Sequence, residues 1–524
     1  MFLSFFIYTI FLFVLQSKNI CDIILSAKKK YYMKPIVLCI LDGVGINSKP
    51  EHNAVALAKM PYFKKLLDKY PNSKLKTSGA AVGLPDGLMG NSEAGHITIG
   101  SGRVVNQFLR RFEMLDLRKN KPLNNFIKSV KSDGGIVHVV GLMSDGRVHA
   151  NIADTILAIK YVLRHGLRVC IHFVSDGRDT PPQSAQKYID LLRTDLAKDF
   201  SKKLVFFGTL SGRYYTMDRN KNMDRTQMSF DAIAKGKSKY HAKNIDVALA
   251  DAYSRGETDE FIKPIVIKSK KITKRDGFLF CNYRGDRARQ ILRKIIETGC
   301  SMLCFSQYGE GLNEVCPAIL SDEKIENTLG DILANNGKSQ LRIAETEKYN
   351  HVTYFFDAER NVNYMDEEKV LIPSPAVEKF DKKPEMAAKE ITVALLKRLS
   401  KFDVVILNFA NGDMVGHTGN EVATVKAMKC LDNQLKKIVP AVLKLNGAVL
   451  IAADHGNAEQ MWDNKHNAPL TAHTTNLVRF VMVSKGKYIA RNGGLRDIAP
   501  TILKLLNIKK PVEMTGKSLI KKIP

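Results

Sequence analysis

The sequence contains no apolar run of the roughly 20 residues that a membrane-spanning helix requires. Its most apolar stretch, "FLSFFIYTIFLFVL" at residues 2–15, has the length of a signal-peptide core. No Lys or Arg precedes it, however, and no clear small-x-small cleavage site follows. Translation starting at Met33, in "MKPIVLCILDG", accounts for it better, because a buried strand begins there at once. Residues 1–32 are therefore read as an apolar leader, either untranslated or signal-like. The protein is expected in the cytoplasm, with no membrane partner.

Patterned cysteine is also missing. The eight cysteines (Cys21, Cys39, Cys170, Cys281, Cys300, Cys304, Cys316 and Cys430) are scattered. Cys39, Cys170 and Cys281 lie inside apolar runs, where a reduced thiol behaves as a small hydrophobe. The spacing of Cys300, Cys304 and Cys316 fits no zinc pattern. A disulfide scaffold is thereby excluded and reduced thiols are expected. There is no internal repeat, low-complexity tract or long flexible linker. The net charge of +27 and pI near 9.6 are strongly basic, yet the lysines are spread along the chain and form no basic arm. With no nucleic-acid-binding motif present, the excess is read as a lysine-rich surface, and nucleic acid is not expected as a partner.

A chain of 524 residues is long enough for two or three domains. Its pattern of apolar strand, polar turn and helix, repeated many times, predicts an α/β fold with parallel sheets. "IVLCILD" ends at Asp42, "VVILNFANGD" at Asp413, and "AVLIAADHG" at Asp454 and His455. Continuous apolar runs suit strands buried on both faces, and ligands of open α/β sheets bind beyond the carboxyl ends of such strands. Between these segments the strand ends carry different chemistry. "IVHVVGLMSDGRVH" leads to His149, "LRVCIHFVSDGRD" to Arg178 and Asp179, "KLVFFGTLSGRYYTMDR" to Arg213 and Arg219, and "GFLFCNYRGDR" to Arg284 and Arg287. The change from carboxylate to guanidinium predicts a second α/β domain over 107–325, inserted into an outer domain of 33–106 plus 326–524.

"GLMGNSEAGHITIGSGR", residues 87–103, shows neither a helical nor a strand period. It reads as an open, glycine-rich loop, serving either as a surface turn or as a loop that lets a large group approach Ser92. The rest of the sequence decides between them. "NGDMVGHTG" sets Asp413 and His417 four residues apart, on one face if helical. "ADHGN" adds Asp454 and His455, "TAHTTN" adds His473, and Asp42 completes three carboxylates and three imidazoles. That donor set suits divalent Mn, Zn, Fe or Co. It suffices for two ions, with Ser92 as a further oxygen ligand. Two ions about 3.5–4 Å apart are a recurring device in phosphoryl chemistry. An ion bound to Ser92 lowers its hydroxyl pKa and makes a nucleophile available. Asn91 can donate a hydrogen bond to the transferred group, and Glu93 receives no role.

Guanidinium is the preferred bidentate partner of phosphate and carboxylate. Arg178, Arg213, Arg219, Arg284 and Arg287, after three of these strands, therefore point to a small, multiply anionic substrate. Lys348, in "ETEKYNHVTYFF", adds a cation at the domain junction, and His149 and Asp179 offer an acid and a base among the arginines. Together these features predict phosphoryl transfer onto serine in a cleft between the two domains.

"LDGVGI", "GLMGNSEAGHITIGSGR", "SDGRVHAN", "SDGRDTPP", "SGRYYTMDR", "NYRGDRARQ", "ETEKYNHVTYFF", "NFANGDMVGHTG", "ADHGNAEQM" and "TAHTTN" resemble, in order and spacing, the cofactor-independent phosphoglycerate mutases. The match runs from Lys34 to the C-terminus, and the outer domain is similar to alkaline phosphatase. The resemblance implies interconversion of 3-phosphoglycerate and 2-phosphoglycerate through phosphorylated Ser92, by a monomer. It implies one Mn ion on Asp413, His417 and His473 and another on Asp42, Ser92, Asp454 and His455. It assigns His149, Arg178, Asp179, Arg213, Arg219, Arg284, Arg287 and Lys348 to the substrate. Val44, Gly285 and the segment "RVHAN" depart from the family's usual residues without removing a ligand or an arginine. A phosphatase or phosphopentomutase of the same superfamily would share the metal residues and lack the arginine motifs. A non-catalytic scaffold would have lost Ser92 or the ligands.

Overall fold

A computed structural model describes residues 34–523. The leader, the Met33 start and Cys21 lie outside the described residues. Contacts divide the chain into two compact units. One takes the chain up to Gln107 and again from Ile325, and the other is Phe108–Lys324.

The first unit is built on an eight-stranded sheet. Its order is Glu367–Ile372, Gln340–Glu345, Val404–Phe409, Ile36–Leu41, Ala448–Ala452, Val478–Val483, Asn72–Lys76 and Gly493–Gly494. The first five strands run parallel, and Val478–Val483 is antiparallel to both its neighbours. The all-parallel expectation therefore holds for the centre and fails toward one edge. Ile36–Leu41 and Val404–Phe409 are buried at every residue, as continuous apolar runs covered on both faces must be. The helices around them are tied down locally. Met60, at the N-cap of Pro61–Lys69, provides no side-chain cap. Asp432, from the long helix Glu421–Lys444, accepts from Tyr62 N at 3.1 Å and Phe63 N at 2.7 Å instead.

The stretch expected to be a loop is a helix, Ser92–Ser101, of which only Glu93 is exposed. A helix buried on nearly every side has no amphipathic stripe to reveal it. Asn91 starts it, its side-chain oxygen accepting from Ala94 N at 2.8 Å. Its glycines serve close approach rather than looseness: a Cβ on Gly100 would lie 1.8 Å from the Phe356 carbonyl oxygen, and one on Gly95 3.0 Å from Asp454 Cβ. Glu93 lies in the first turn, where an acidic side chain complements the helix dipole.

The second unit has its own eight-stranded sheet, ordered Ala318–Leu320, Ser301–Ser306, Gly277–Phe280, Val137–Leu142, Val169–Ser175, Val205–Gly212, Ile265–Val266 and Tyr240–His241. The first six strands are parallel and Ile265–Val266 reverses. The seven described cysteines are all buried and free. No helix among the described residues is long and apolar enough to cross a membrane.

Candidate metal centre

Val404–Phe409, Ile36–Leu41 and Ala448–Ala452 are consecutive in the first sheet, so their carboxyl ends deliver side chains to one place. Asp42 follows the middle strand. Asp413 stands on the short helix Asn411–Gly416, and Asp454 and His455 follow the third strand. Asp42 and Asp454 are fully buried and Asp413 is 3% exposed. Three buried carboxylates are costly unless cations face them.

One cation is Lys348, itself buried. Its ammonium donates to Asp413 Oδ2 at 2.7 Å and to Ser92 Oγ at 2.6 Å, and lies 3.1 Å from Asp42 Oδ1. Burial opposes the charge on Lys348, but Asp413 and Asp42 outweigh it and raise its pKa above the usual lysine value. The carboxylates respond unequally. Burial pushes Asp42 upward, reinforced by Asp454. Burial also acts on Asp413 and Asp454, but Lys348 in the first case and His455 in the second hold them below the usual carboxylate range.

The imidazoles close the cluster. His473 Nε2 lies 2.9 Å from Asp413 Oδ1 and 2.9 Å from His417 Nε2, and His417 Nε2 lies 3.1 Å from Asp413 Oδ1. His455 stacks on His473 at 3.8 Å between ring centroids. The donor atoms of Asp42, Asp454 and His455 lie within 4.8 Å of one another, and so do those of Asp413, His455 and His473. Asp454 Oδ2 is buried without a hydrogen bond. Converging oxygen and nitrogen donors of this kind fit a divalent cation of the Mn–Zn series. Ser92 stands at the rim of this set, at the first position of its helix. Its hydroxyl donates to Asp42 Oδ1 at 3.3 Å and lies 2.9 Å from His455 Nε2. Backbone N–H groups and the helix dipole there favour negative charge on Ser92.

Sequence reasoning missed the residues that hold these ligands. His96, one helical turn after Ser92, lies 3.3 Å from Asp454 Oδ2 through Nδ1 and 3.1 Å from Asn408 Nδ2 through Nε2. Asn408 donates to Asp42 Oδ2 at 2.8 Å, and Asn457 Nδ2 lies 3.4 Å from Asp413 Oδ1. The four-residue spacing of Ser92 and His96 was the available signal. Lys348, expected with the substrate-binding cations, is brought together with Ser92 and the carboxylates. The helix that carries it, Thr346–Asn350, runs into a π-helical turn, His351–Phe355, a feature frequent at functional sites.

In the second unit the arginines gather after their strands. Arg213 is 2% exposed and its Nη1 donates to Asp176 Oδ1 at 2.8 Å and Asp179 Oδ2 at 2.5 Å. Arg219 Nη1 and Arg284 Nε lie 2.9 and 3.7 Å from Asp286. Arg178 Nη1 lies 3.5 Å from Glu260, and Arg287 donates to the Met217 carbonyl at 3.1 Å. Burial lowers the Arg287 pKa, and Arg213, Arg219 and Arg178 lower it further, so these cations share one region. His149 is pushed down to about 4 by burial and by Arg213, and its buried Nδ1 has no hydrogen-bond partner. It is neutral at pH 7. Asp176 and Asp286, which orient the arginines, were not foreseen, although both stand inside quoted motifs.

Removing divalent metal with a chelator is expected to lower the unfolding temperature, and restoring it to reverse the loss. Metal at 100 times its Kd stabilises by about 2.7 kcal/mol. The gain should shrink as pH falls. Asp413 raises the His417 pKa, so the metal-free protein is favoured by protonated His417 below the unfolded value near 6.5 and loses that contribution as pH rises through the folded value. Protons and metal compete for the same nitrogen. Calorimetry at two pH values checks this, and an equal metal-induced shift at both would contradict it.

A family model described as the metalloenzyme superfamily matches residues 34–510. The 2,3-bisphosphoglycerate-independent phosphoglycerate mutase of Ehrlichia ruminantium (strain Welgevonden) is 46% identical over 501 residues, covering 93% of this chain and 98% of that one. Mutase 1 of Methanosarcina acetivorans is 43% identical over 514 residues, covering 93% and 99%. A crystal structure of Leishmania mexicana phosphoglycerate mutase at low cobalt concentration superposes with a TM-score of 0.71 at 27% identity, covering 94% of this chain and 99% of that one.

Proposed function

The chain belongs to the 2,3-bisphosphoglycerate-independent phosphoglycerate mutases of the metalloenzyme superfamily, and from that premise we propose that it interconverts 3-phosphoglycerate and 2-phosphoglycerate, with Ser92 as the phosphoryl acceptor and donor. The observation that carries this is the setting of Ser92 Oγ, at a helix N-terminus and in contact with Lys348, His455 and Asp42.

Two divalent ions fit the donors, with Mn as the expected metal. Asp413, His417 and His473 would hold one, and Asp42, Ser92, Asp454 and His455 the other. Bound there, the metal supplies positive charge that neutralises the carboxylates, lowers the pKa of the Ser92 hydroxyl and favours charge developing on a phosphoryl group. Lys348 donates to Ser92 Oγ and stabilises its anionic form. Ser92 Oγ forms a bond to phosphorus as the bond from phosphorus to the glycerate 3-oxygen breaks. In the return step the glycerate 2-oxygen takes the phosphoryl group and Ser92 Oγ leaves. In the first half the Ser92 hydroxyl proton passes to the departing glycerate 3-oxygen, and in the second the glycerate 2-hydroxyl proton passes to Ser92 Oγ, so no other reactant is consumed. Arg178, Arg213, Arg219, Arg284, Arg287 and neutral His149 bind the anionic glycerate, with Asp179 orienting Arg213. The chain acts as a cytoplasmic monomer on these small molecules and needs no nucleic acid.

The test is formation of 2-phosphoglycerate from 3-phosphoglycerate, without bisphosphoglycerate, by protein first stripped of metal and then given Mn. Isomerisation restored by the ion supports the reading. Free phosphate in place of isomerisation would make the chain a phosphatase and overturn it.

A further inference from the structure

At the amino ends of the strands of the second sheet, opposite the edge that carries the arginines, three metal-ligating side chains converge. Cys170 and His172 alternate on one strand, Val169–Ser175, and so share a face of the sheet. His138, on the neighbouring strand Val137–Leu142, is the register partner of Cys170. His138 is 3% exposed, Cys170 1% and His172 fully buried. His138 Nδ1 lies 2.9 Å from His172 Nε2, and Cys170 Sγ lies 3.7 Å from the same nitrogen. One donor atom from each lies within 4.8 Å of the others.

We propose that His138, Cys170 and His172 form a third metal site, for a single divalent ion of the zinc class, separate from the centre around Ser92. Zinc–nitrogen bonds of about 2.0–2.1 Å and a zinc–sulfur bond of about 2.3 Å in a tetrahedron separate the donors by about 3.3 Å between nitrogens and about 3.6 Å between nitrogen and sulfur. The sulfur already stands at that separation from His172 Nε2, and the nitrogens need to part by a few tenths of an ångström. The ligands are oriented from outside as zinc ligands are: His172 Nδ1 lies 3.0 Å from Thr209 Oγ1, leaving Nε2 toward the cluster. Space is kept by Gly208, where a Cβ would come within 2.5 Å of Cys170 Sγ and 3.0 Å of His172 Cε1. Burial keeps both imidazoles neutral at pH 7, His138 at about 4 and His172 well below 6.5, and neutral imidazole is the form that binds metal.

The site borders a cavity. His138 and Cys170 line a cavity of about 1400 Å³, together with Arg168, Lys203, Arg275 and Asp276. Three protein ligands leave a fourth position for a ligand that is not a protein side chain. The cavity's basic wall favours an anion there, so the fourth ligand is an anion or a hydroxide rather than another side chain. Binding releases one proton, from the Cys170 thiol, to solvent.

Sulfur makes the site separable from the centre in the first unit, whose donors are oxygen and nitrogen only. The full chain loaded with cobalt(II) should show an intense near-ultraviolet thiolate-to-cobalt band. Cys170→Ser should lose that band and hold one ion fewer per chain, while keeping mutase activity. His138→Gln should also lose the band if Cys170→Ser fails to fold. Absence of the band from the wild-type chain would overturn the proposal, and so would its survival in Cys170→Ser. The cluster would then be a neutral hydrogen-bonded pair beside a thiol. The spectrum is read without turnover, so failure of this inference is distinguishable from failure of the assigned activity.

Discussion

Ser92→Ala is expected to lower kcat for phosphoglycerate isomerisation by at least about 10³-fold, the scale on which covalent catalysis loses its nucleophile. The hydroxyl lies within bonding reach of Lys348, His455 and Asp42, and with His455 and Asp42 engaged as metal ligands the alanine variant has no free acceptor in its place. The helix should survive. Asn91 caps it through its side chain independently of Ser92, and alanine is the best helix former. The variant should therefore keep a native circular dichroism spectrum and still be stabilised by added metal. Its metal affinity should fall by less than that of Asp454→Asn, which neutralises a fully buried carboxylate. Steady-state kinetics and metal titration check both parts, and retention of a tenth or more of the wild-type kcat would remove Ser92 from the chemistry.

Lys348→Met has the second large effect, and its size depends on metal. In the metal-free protein, Lys348 lies within 3.1 Å of Asp42 and 2.7 Å of Asp413, all three buried. Removing one partner of a buried pair leaves an uncompensated charge and costs about 3–5 kcal/mol. Methionine fills a similar volume, so lost packing adds little. The variant should unfold at lower urea concentration at pH 7. Without the ammonium the folded carboxylates bind protons more readily, beginning with Asp42, which burial and Asp454 already push upward. A raised folded pKa favours the folded state at low pH, so the deficit should narrow as pH falls. Divalent metal should recover much of the loss at pH 7, because it places positive charge among the same carboxylates. Catalysis should still suffer, since Ser92 Oγ loses its nearest cation. A urea midpoint equal to wild type in the metal-free state would show that Lys348 does not compensate the carboxylates.

Much of the first unit's centre was legible because its signals are local. Apolar runs ending in Asp42, Asp413 and Asp454 mark strands buried on both faces, and the structure sets those strands side by side. The four-residue spacing of Asp413 and His417 gave a shared face, and their side chains meet. Two kinds of information were hidden. The helix after Asn91 lacks a hydrophobic stripe because it is buried nearly all round, so its glycines read as loop. Contacts made across the sheet leave no trace in spacing. Asn408 is, by sequence alone, one polar residue near the end of an apolar run, and Lys348 one more cation. Both acquire meaning only when distant segments bring Asp42 against them. Cys170 illustrates the same limit, since a thiol in an apolar run reads as packing until His138 is found beside it in register.

The central claim is that Ser92 itself carries the phosphoryl group between the two hydroxyls of the substrate. The most direct measurement is mass spectrometry of the peptide containing residues 87–103, after metal-loaded protein is mixed with 3-phosphoglycerate and quenched in acid on the millisecond scale. The account predicts one phosphoryl group on Ser92, appearing before 2-phosphoglycerate accumulates and absent when metal is withheld. Product formation with Ser92 never phosphorylated, or with the phosphoryl group on another residue, would contradict it.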